Sequence, residues 1–276
     1  MESYDYLTAV CIRYHQYPHE EFRLSEKQIP WKKYKKAWMS VWWSDFDCKE
    51  ETQYWFCIKD NAFDIDSLKA KRRYEVNKGI KNFDTRIIDP RDHAKELYHV
   101  YLESLNGYTP KPKGQSFEEF SAMIDIWVKE APAANVFAAF CKEDGVLCGY
   151  ADVFDRERYL PISSLKTIPE YEKRGVNFAL VYTICTHFAE RLQNGAYLSD
   201  GARNAVHQTN FQLFLEKYFG FRKAYVKLNV RYRKPFGVLV KFLFPFRTFV
   251  YKAKKPILKS IGGVLKYEAW YRGLQE

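Results

Sequence analysis

Near residue 135 the apolar period of this 276-residue chain changes from helical to strand-like, and that switch constrains the fold more than any other feature. Residues 136–141 and 147–154 are two short apolar runs separated by Glu143-Asp144-Gly145. Runs of this length joined by an Asp-Gly turn read as a buried β-hairpin. Upstream, 67–82, 90–105 and 116–130 carry helical spacing, and the pair 90–105 and 116–130 is joined by the loop Asn106-Gly107-Tyr108-Thr109-Pro110. Downstream come a strand at 159–168, a helix at 175–192, a strand at 196–199, a helix at 207–218 and a strand at 225–232. Helices, then an antiparallel hairpin, then alternating strands and helices predict an α/β (α+β) fold with one mixed central sheet.

Two flanks differ from this middle part. Residues 1–66 hold five of the seven tryptophans, Trp31, Trp38, Trp42, Trp43 and Trp55, in segments 4–14, 37–43 and 53–59 that alternate like strands. They are expected to form a small aromatic-rich sheet, the rings serving as core or lining a groove. Residues 233–276 form a basic tail. From Arg231 onward eleven basic residues stand against Glu268 and Glu276, so nine of the ten net positive charges lie there and 1–230 is nearly neutral. The expected division is therefore 1–66, 67–232 and 233–276. In the first helix of the middle part, capped by Asp66-Ser67, Leu68, Tyr74 and Ile80 are the predicted inward residues.

Charge confined to a tail argues against DNA binding, as no recognition motif accompanies it. Lys252, Lys255, Lys259 and Lys266 recur at helical spacing among apolar residues. Such a segment suits an anionic membrane surface, and packing on the body or on a partner subunit accounts for it equally. No run of about 20 apolar residues spans a bilayer, and the start lacks a secretory pattern. A cytoplasmic protein, peripheral at the inner face of the membrane if the tail binds lipid, is the expectation. The six cysteines show no CxxC pair and no metal-site spacing; Cys141 and Cys148 flank a turn and could face each other, but buried reduced thiols are the expectation, and no metal site is expected.

The chemistry concentrates in two stretches. Residues 165–180 read LKTIPEYEKRGVNFAL, a strand ending in a polar turn before a glycine-started helix. Free N–H groups at such a helix start hold anions, and Lys173 and Arg174 add positive charge. This stretch resembles the pyrophosphate-loop region of the GNAT superfamily, with Pro169, Glu170, Tyr171, Gly175, Ala179 and Leu180 in register. Glu172 replaces the usual Arg or Gln, and Asn177 the usual Gly. Residues 210–221, NFQLFLEKYFGF, are similar to a second GNAT element in which an Asn precedes a helix closed by Gly-Phe. The helix 67–82, LKAKRRYEVNKGIKNF, resembles the basic helix that introduces the catalytic GNAT unit of Fem-type aminoacyltransferases, proteins with two such units; here 1–66 would be a truncated first one.

The resemblance implies an N-acyltransferase that takes an acyl group, acetyl above all, from acyl-CoA to an amine acceptor such as an amino sugar or envelope-glycan precursor. Its cofactor residues would be Leu165, Thr167, Ile168, Lys173, Arg174, Gly175, Val176, Asn177, Phe178 and Asn210. The thioester would lie along the splayed strand near 164–168, with an oxyanion donor near Leu165. In the polar loop after the 196–199 strand, His207 is the candidate base, Asp200 its orienter or a site for a cationic acceptor, and Arg203 a grip for phosphate or carboxylate. Asp200 and Thr209 acting as simple caps explain the same residues. Tyr218 is a candidate acid or a structural tyrosine, and Tyr108 is expected near the acceptor mouth. Two alternatives stay open: a Fem-type transferase using aminoacyl-tRNA, and a non-catalytic GNAT-like binding module.

Overall fold

The computed structural model describes residues 5–8, 10–108, 111–204, 210–253 and 256–275. The chain divides into two compact units. One comprises 1–57, 202–210 and 223–276, the other 58–201 and 211–222. The two ends of the sequence thus fold together.

In the first unit, β1 (Asp5–Thr8) and β2 (Cys11–Tyr14) form a tight antiparallel hairpin. Next to β2 lies β3 (Met39–Ser44) in parallel, and β11 (Lys227–Tyr232) pairs antiparallel with β3 from Lys227↔Ser44 to Tyr232↔Met39. Ile12, Tyr14, Ile29, Ala37 and Trp42 close one core on this sheet, with Trp31 and Tyr34 packed on it. Most of the aromatic segment is therefore core, although Trp38 stays 38% exposed. The tail is helical: α8 (Lys234–Leu243), α9 (Arg247–Tyr251) and α10 (Pro256–Tyr271). Trp270 of α10 is buried against Tyr54, and Arg13 donates to the Tyr267 hydroxyl at 2.6 Å. Packing on the body accounts for α10. Strand β4 (Trp55–Lys59) runs beside β10 (Arg222–Tyr225).

The second unit holds a five-strand arrangement in the order β9-β8-β7-β6-β5. These are β5 (Phe83–Ile87), β6 (Ala134–Cys141), β7 (Leu147–Phe154), β8 (Tyr159–Thr167) and β9 (Tyr197–Ala202). Neighbours from β5 to β8 are antiparallel, and β8 with β9 is parallel. The sheet is mixed, as the alternation predicts. Seven of the eight β7 residues are buried, as befits a central strand covered on both faces. Alternation along β7 separates the two layers: Tyr150 packs on Phe120 and Trp127, whereas Gly149 faces Val176 and Leu180. One layer is α2 (Ala94–Ser104) and α3 (Phe117–Lys129), the latter started by a Ser116/Glu119 capping box. The other is centred on α5 (Val176–His187), entered through the single turn α4 (Pro169–Glu172). Helix α6 (Ala189–Gln193) continues α5 after a break at the buried Phe188, so the predicted single helix 175–192 is two. Beside α5 lie α1 (Ala70–Asn82) and α7 (Phe211–Phe219).

The packing of α1 corrects the sequence reading. Tyr74, expected inward, is 65% exposed, Leu68 and Ile80 are only half-buried, and the buried residues are Val76 and Gly79. Nor does Asp66-Ser67 cap the helix, whose N-cap is Lys69. The reason is that α1 meets α5 backbone against backbone. A Cβ on Gly79 would stand 2.5 Å from the Gly175 carbonyl oxygen and 3.0 Å from the Ala179 nitrogen. Alanine normally favours a helix interior over glycine. Here the sign reverses: Gly79→Ala should cost about 1–3 kcal/mol by overpacking. Gly107→Ala, with nothing within 4 Å, should be near neutral in the same denaturant-unfolding experiment.

Candidate functional site

Parallel pairing of β8 with β9 covers Tyr159↔Tyr197, Leu160↔Leu198 and Pro161↔Ser199 and goes no further, although both strands continue. Among the described residues the ladder between them stops there, so it leaves the backbone groups on the facing edges beyond that point without ladder partners. On its other side β8 stays paired with β7 and carries a bulge: Ser164 stands opposite Asp152 and Ile162 opposite Val153, leaving Ser163 as the extra residue. Ser163 is exposed between the buried Ile162 and the half-buried Ser164. An opened strand pair with a bulge at its fork can receive an extended ligand along unpaired main-chain groups.

Two carboxylates flank this region. Asp152 is 2% exposed in the middle of β7 and accepts a hydrogen bond from the Ser164 hydroxyl. Burial raises its pKa above the ordinary carboxylate range, opposed by hydrogen bonds from Ser164, Trp127 and Ser163. Sequence reading missed it. The available signal was one acid inside the apolar strand LCGYADVF, a position where an unpaired charge is too costly to be incidental. Asp200 follows the last β8–β9 pair directly. Desolvation pushes its pKa up to about 6, with the Gln212 amide as a hydrogen-bonding partner. A carboxyl titrating there can accept a proton at neutral pH.

The predicted anion corner at the start of α5 is built differently from the expectation. Gly175 does adopt a left-handed conformation, φ 98°, as the N-cap of α5. It is buried, however, with Gly79 of α1 seated on its carbonyl. The Lys78 ammonium donates to the Lys173 carbonyl at 2.7 Å, and the Asn82 amide to the Arg174 carbonyl at 2.9 Å, so α1 clasps the whole turn. Arg174 pairs with Glu143 at 2.7 Å, while the Lys173 side chain is exposed. Val176 is fully buried, and Phe178 packs on Phe214 and Tyr218. Within the turn, Thr167 Oγ1 lies 3.3 Å from Glu172 Oε1 and 3.4 Å from Asn177 Oδ1. Three side-chain oxygens thus converge on the β8–α5 corner. Ile168 is buried with its N–H on the Cys148 carbonyl, and Leu165 is half-buried on β8.

The remaining predicted residues are dispersed. Tyr218 sits in the aromatic cluster of Phe178 and Phe214, its ring 4.8 and 5.4 Å from theirs, as a packing tyrosine does. Asn210 is exposed ahead of α7. Tyr108 is exposed, with the Lys166 ammonium 3.5 Å from its hydroxyl and above its ring, which ties the α2–α3 loop to β8. Arg203 belongs to the first unit. Its guanidinium lies between Trp55 and Trp270, 4.5 and 4.4 Å from the ring centroids, and donates to the Gln53 carbonyl. That sandwich gives Arg203 a packing role in the first unit. His207 and Thr209 lie outside the described residues.

The overall fold has a counterpart among solved structures. The structure of FemX aligns with a TM-score of 0.52 at 11% identity over 75% of each chain. The fold is GNAT-like. Looser likenesses link it to a GCN5-related N-acetyltransferase-like protein of Streptococcus suis, at 17% identity over 66% of this chain and 62% of that one, TM-score 0.35. The L-PGS of Bacillus licheniformis is 15% identical over 87% of this chain and 70% of its own, TM-score 0.44. No family profile matches the sequence, and no curated protein matches it. Within the GNAT-like unit no helix among the described residues is long and apolar enough to cross a membrane, nor is any in the first unit.

Asp200 offers a direct check of the site's electrostatics. Its folded pKa of about 6 stands above the reference 3.8, so the folded state holds the proton more tightly. Its contribution to stability is therefore fullest below about pH 4 and is lost as pH rises through about 6. Asp200→Asn removes that dependence. Denaturant unfolding should show the variant gaining on the wild-type protein between about pH 4 and pH 8. A pH-independent difference would mean that Asp200 titrates normally.

Proposed function

We propose that the protein is a GNAT-fold N-acyltransferase whose acyl donor lies in the fork between β8 and β9. The observation that carries this reading is the end of β8–β9 pairing at Pro161 and Ser199, beside the bulge at Ser163 and the carboxylates Asp152 and Asp200. In the proposed reaction an acceptor ammonium loses a proton to a carboxylate, Asp200 being the group whose pKa suits the task at neutral pH. The free amine attacks the donor carbonyl, a C–N bond forms, and the bond to the leaving oxygen or sulfur breaks. Main-chain N–H groups on the open edge of β8 hold the oxyanion. The nitrogen sheds its surplus proton as the amide forms, the leaving group takes up one, and the carboxylate is restored when its own proton returns to solvent. Asp152, with Ser164 and Trp127, would hold the acceptor's cationic group on the α2–α3 side before transfer. Holding amine and carbonyl together supplies much of the acceleration.

For the donor, the turn before α5 favours a Fem-type aminoacyl ester over a CoA thioester. Glu172 and Asn177 bring oxygen atoms near Thr167 where a diphosphate needs donors, and a carboxylate there repels one. The amine acceptors that fit are amino sugars and the free amines of envelope-glycan precursors. The acyl-CoA reading keeps one specific support, the left-handed Gly175 that starts α5 with the exposed Lys173 alongside.

A paired assay separates the two donors. Purified protein is given acetyl-CoA or a mixture of aminoacyl-tRNAs, with a panel of amino sugars and amine-bearing glycan precursors. Transfer from aminoacyl-tRNA, with no CoA binding by calorimetry, is the expected result. Transfer from acetyl-CoA with micromolar CoA binding would return the donor to the thioester. No transfer from either would leave the GNAT-like fold as a binding module. With the active donor, Asp200→Asn should lower kcat by about 10²–10⁴-fold.

A further inference from the structure

The helical tail has two apolar faces, and the fold buries only one. Val240 and Phe244 of the α8–α9 run pack with Leu265 and Ala269 of α10, joined by Phe236 and Tyr251. Outside that core stand Val238 and Phe242 of α8, Phe246 of the short 3₁₀ turn 244–246 that joins it to α9, and Phe249 of α9, at spacings of four, four and three residues. They are 70%, 71%, 53% and 78% exposed, and Leu239 beside them is 48% exposed. The rings of Phe242 and Phe246 stand 6.4 Å apart. Contiguous apolar surface of this kind on a water-soluble chain marks a contact with something else.

Charge identifies the occupant. Lys234, Lys241 and Lys252 are exposed along the same run, and Arg247 lies over the Phe244 ring. No Asp or Glu occurs between Arg233 and Tyr267. A second copy meeting this stripe through a two-fold axis would bring the lysines of both copies together, a like-charge contact that weakens association. An acidic protein would meet the lysines but would have to supply a matching apolar groove. A bilayer with anionic headgroups meets both demands at once, taking the rings into the acyl boundary and the ammonium groups at the phosphate level.

We infer that the outward stripe of α8 and α9 lays the first unit onto an anionic membrane surface, in the plane of the interface. This inference is independent of the choice of acyl donor. It also joins the two sequence-level accounts of the tail, with α10 packed on the body and α8–α9 presented outward.

The test uses the full-length protein and sedimented vesicles of phosphatidylcholine alone or mixed with phosphatidylglycerol. The protein should pellet with the phosphatidylglycerol vesicles and be released in about 1 M salt, where the screening length falls to about 3 Å. A Phe242→Glu/Phe249→Glu double variant should bind about tenfold or more weakly. Both side chains are exposed, so its circular dichroism and Tm should match the wild type. A Lys234→Gln/Lys241→Gln/Lys252→Gln variant should lose the preference for phosphatidylglycerol while keeping its fold. Failure to pellet with anionic vesicles would overturn the inference. So would lipid-free self-association in sedimentation velocity that the double phenylalanine variant abolishes, since the stripe would then be a subunit interface.

Discussion

The contact on which the GNAT-like unit turns is the seating of Gly79 against Gly175. Two glycines from residues almost a hundred positions apart let α1 lie against the first turn of α5 with no side chain between them. The left-handed Gly175 reverses the chain from β8 into α5, and Lys78 and Asn82 hold the carbonyls that this reversal leaves outward. On the other side Gly149 lets the Val176 and Leu180 side chains close onto β7, 3.0 and 3.1 Å from where a Cβ would stand. The start of α5 is thereby fixed between a helix and the sheet. Because β8 ends at this turn, its final residues are anchored beside α5.

An open fork in a sheet is costly unless it has a use. Unpaired strand edges invite either water or another chain. The bulge at Ser163 and the buried Asp152 add to that cost, since a carboxylate at 2% exposure is desolvated and must be supported by Ser164 and Trp127. Local departures from good packing that coincide in one place point to chemistry. The same reasoning applies to the corner before α5. There Glu172 and Asn177 bring side-chain oxygens to 3.3 and 3.4 Å from the Thr167 hydroxyl.

Much of the second unit was legible in the sequence because its signals are local. The Asp-Gly turn between β6 and β7, the capping box at Ser116 and the apolar run of α5 each lie within a few residues of the element they define. The first unit was legible only in part. β3 and β11 pair across almost two hundred residues, and alternation within each strand does not reveal which strand is its neighbour. Gly79 was unreadable for another reason: a glycine inside a helix normally signals weakness, and its role depends on a backbone far along the chain. Tyr74 misled because apolar spacing was taken to mark the buried face. The neighbours of Arg203 in sequence are polar, whereas its neighbours in space include two indoles, a contact that local sequence does not reveal. Asp152 was overlooked because it interrupts a strand whose other residues all say core.

These points converge on one claim, that acyl transfer occurs in the β8–β9 fork. A crystal structure with a non-hydrolysable 3′-aminoacylamino-adenosine, which mimics the charged end of tRNA, tests it most directly. The account predicts density for the acyl carbonyl between the strands beyond Pro161 and Ser199, against the open edge of β8, with α1 still seated on Gly175. Binding of the analogue away from an unoccupied fork, or a fork filled by the protein's own side chains, would contradict it.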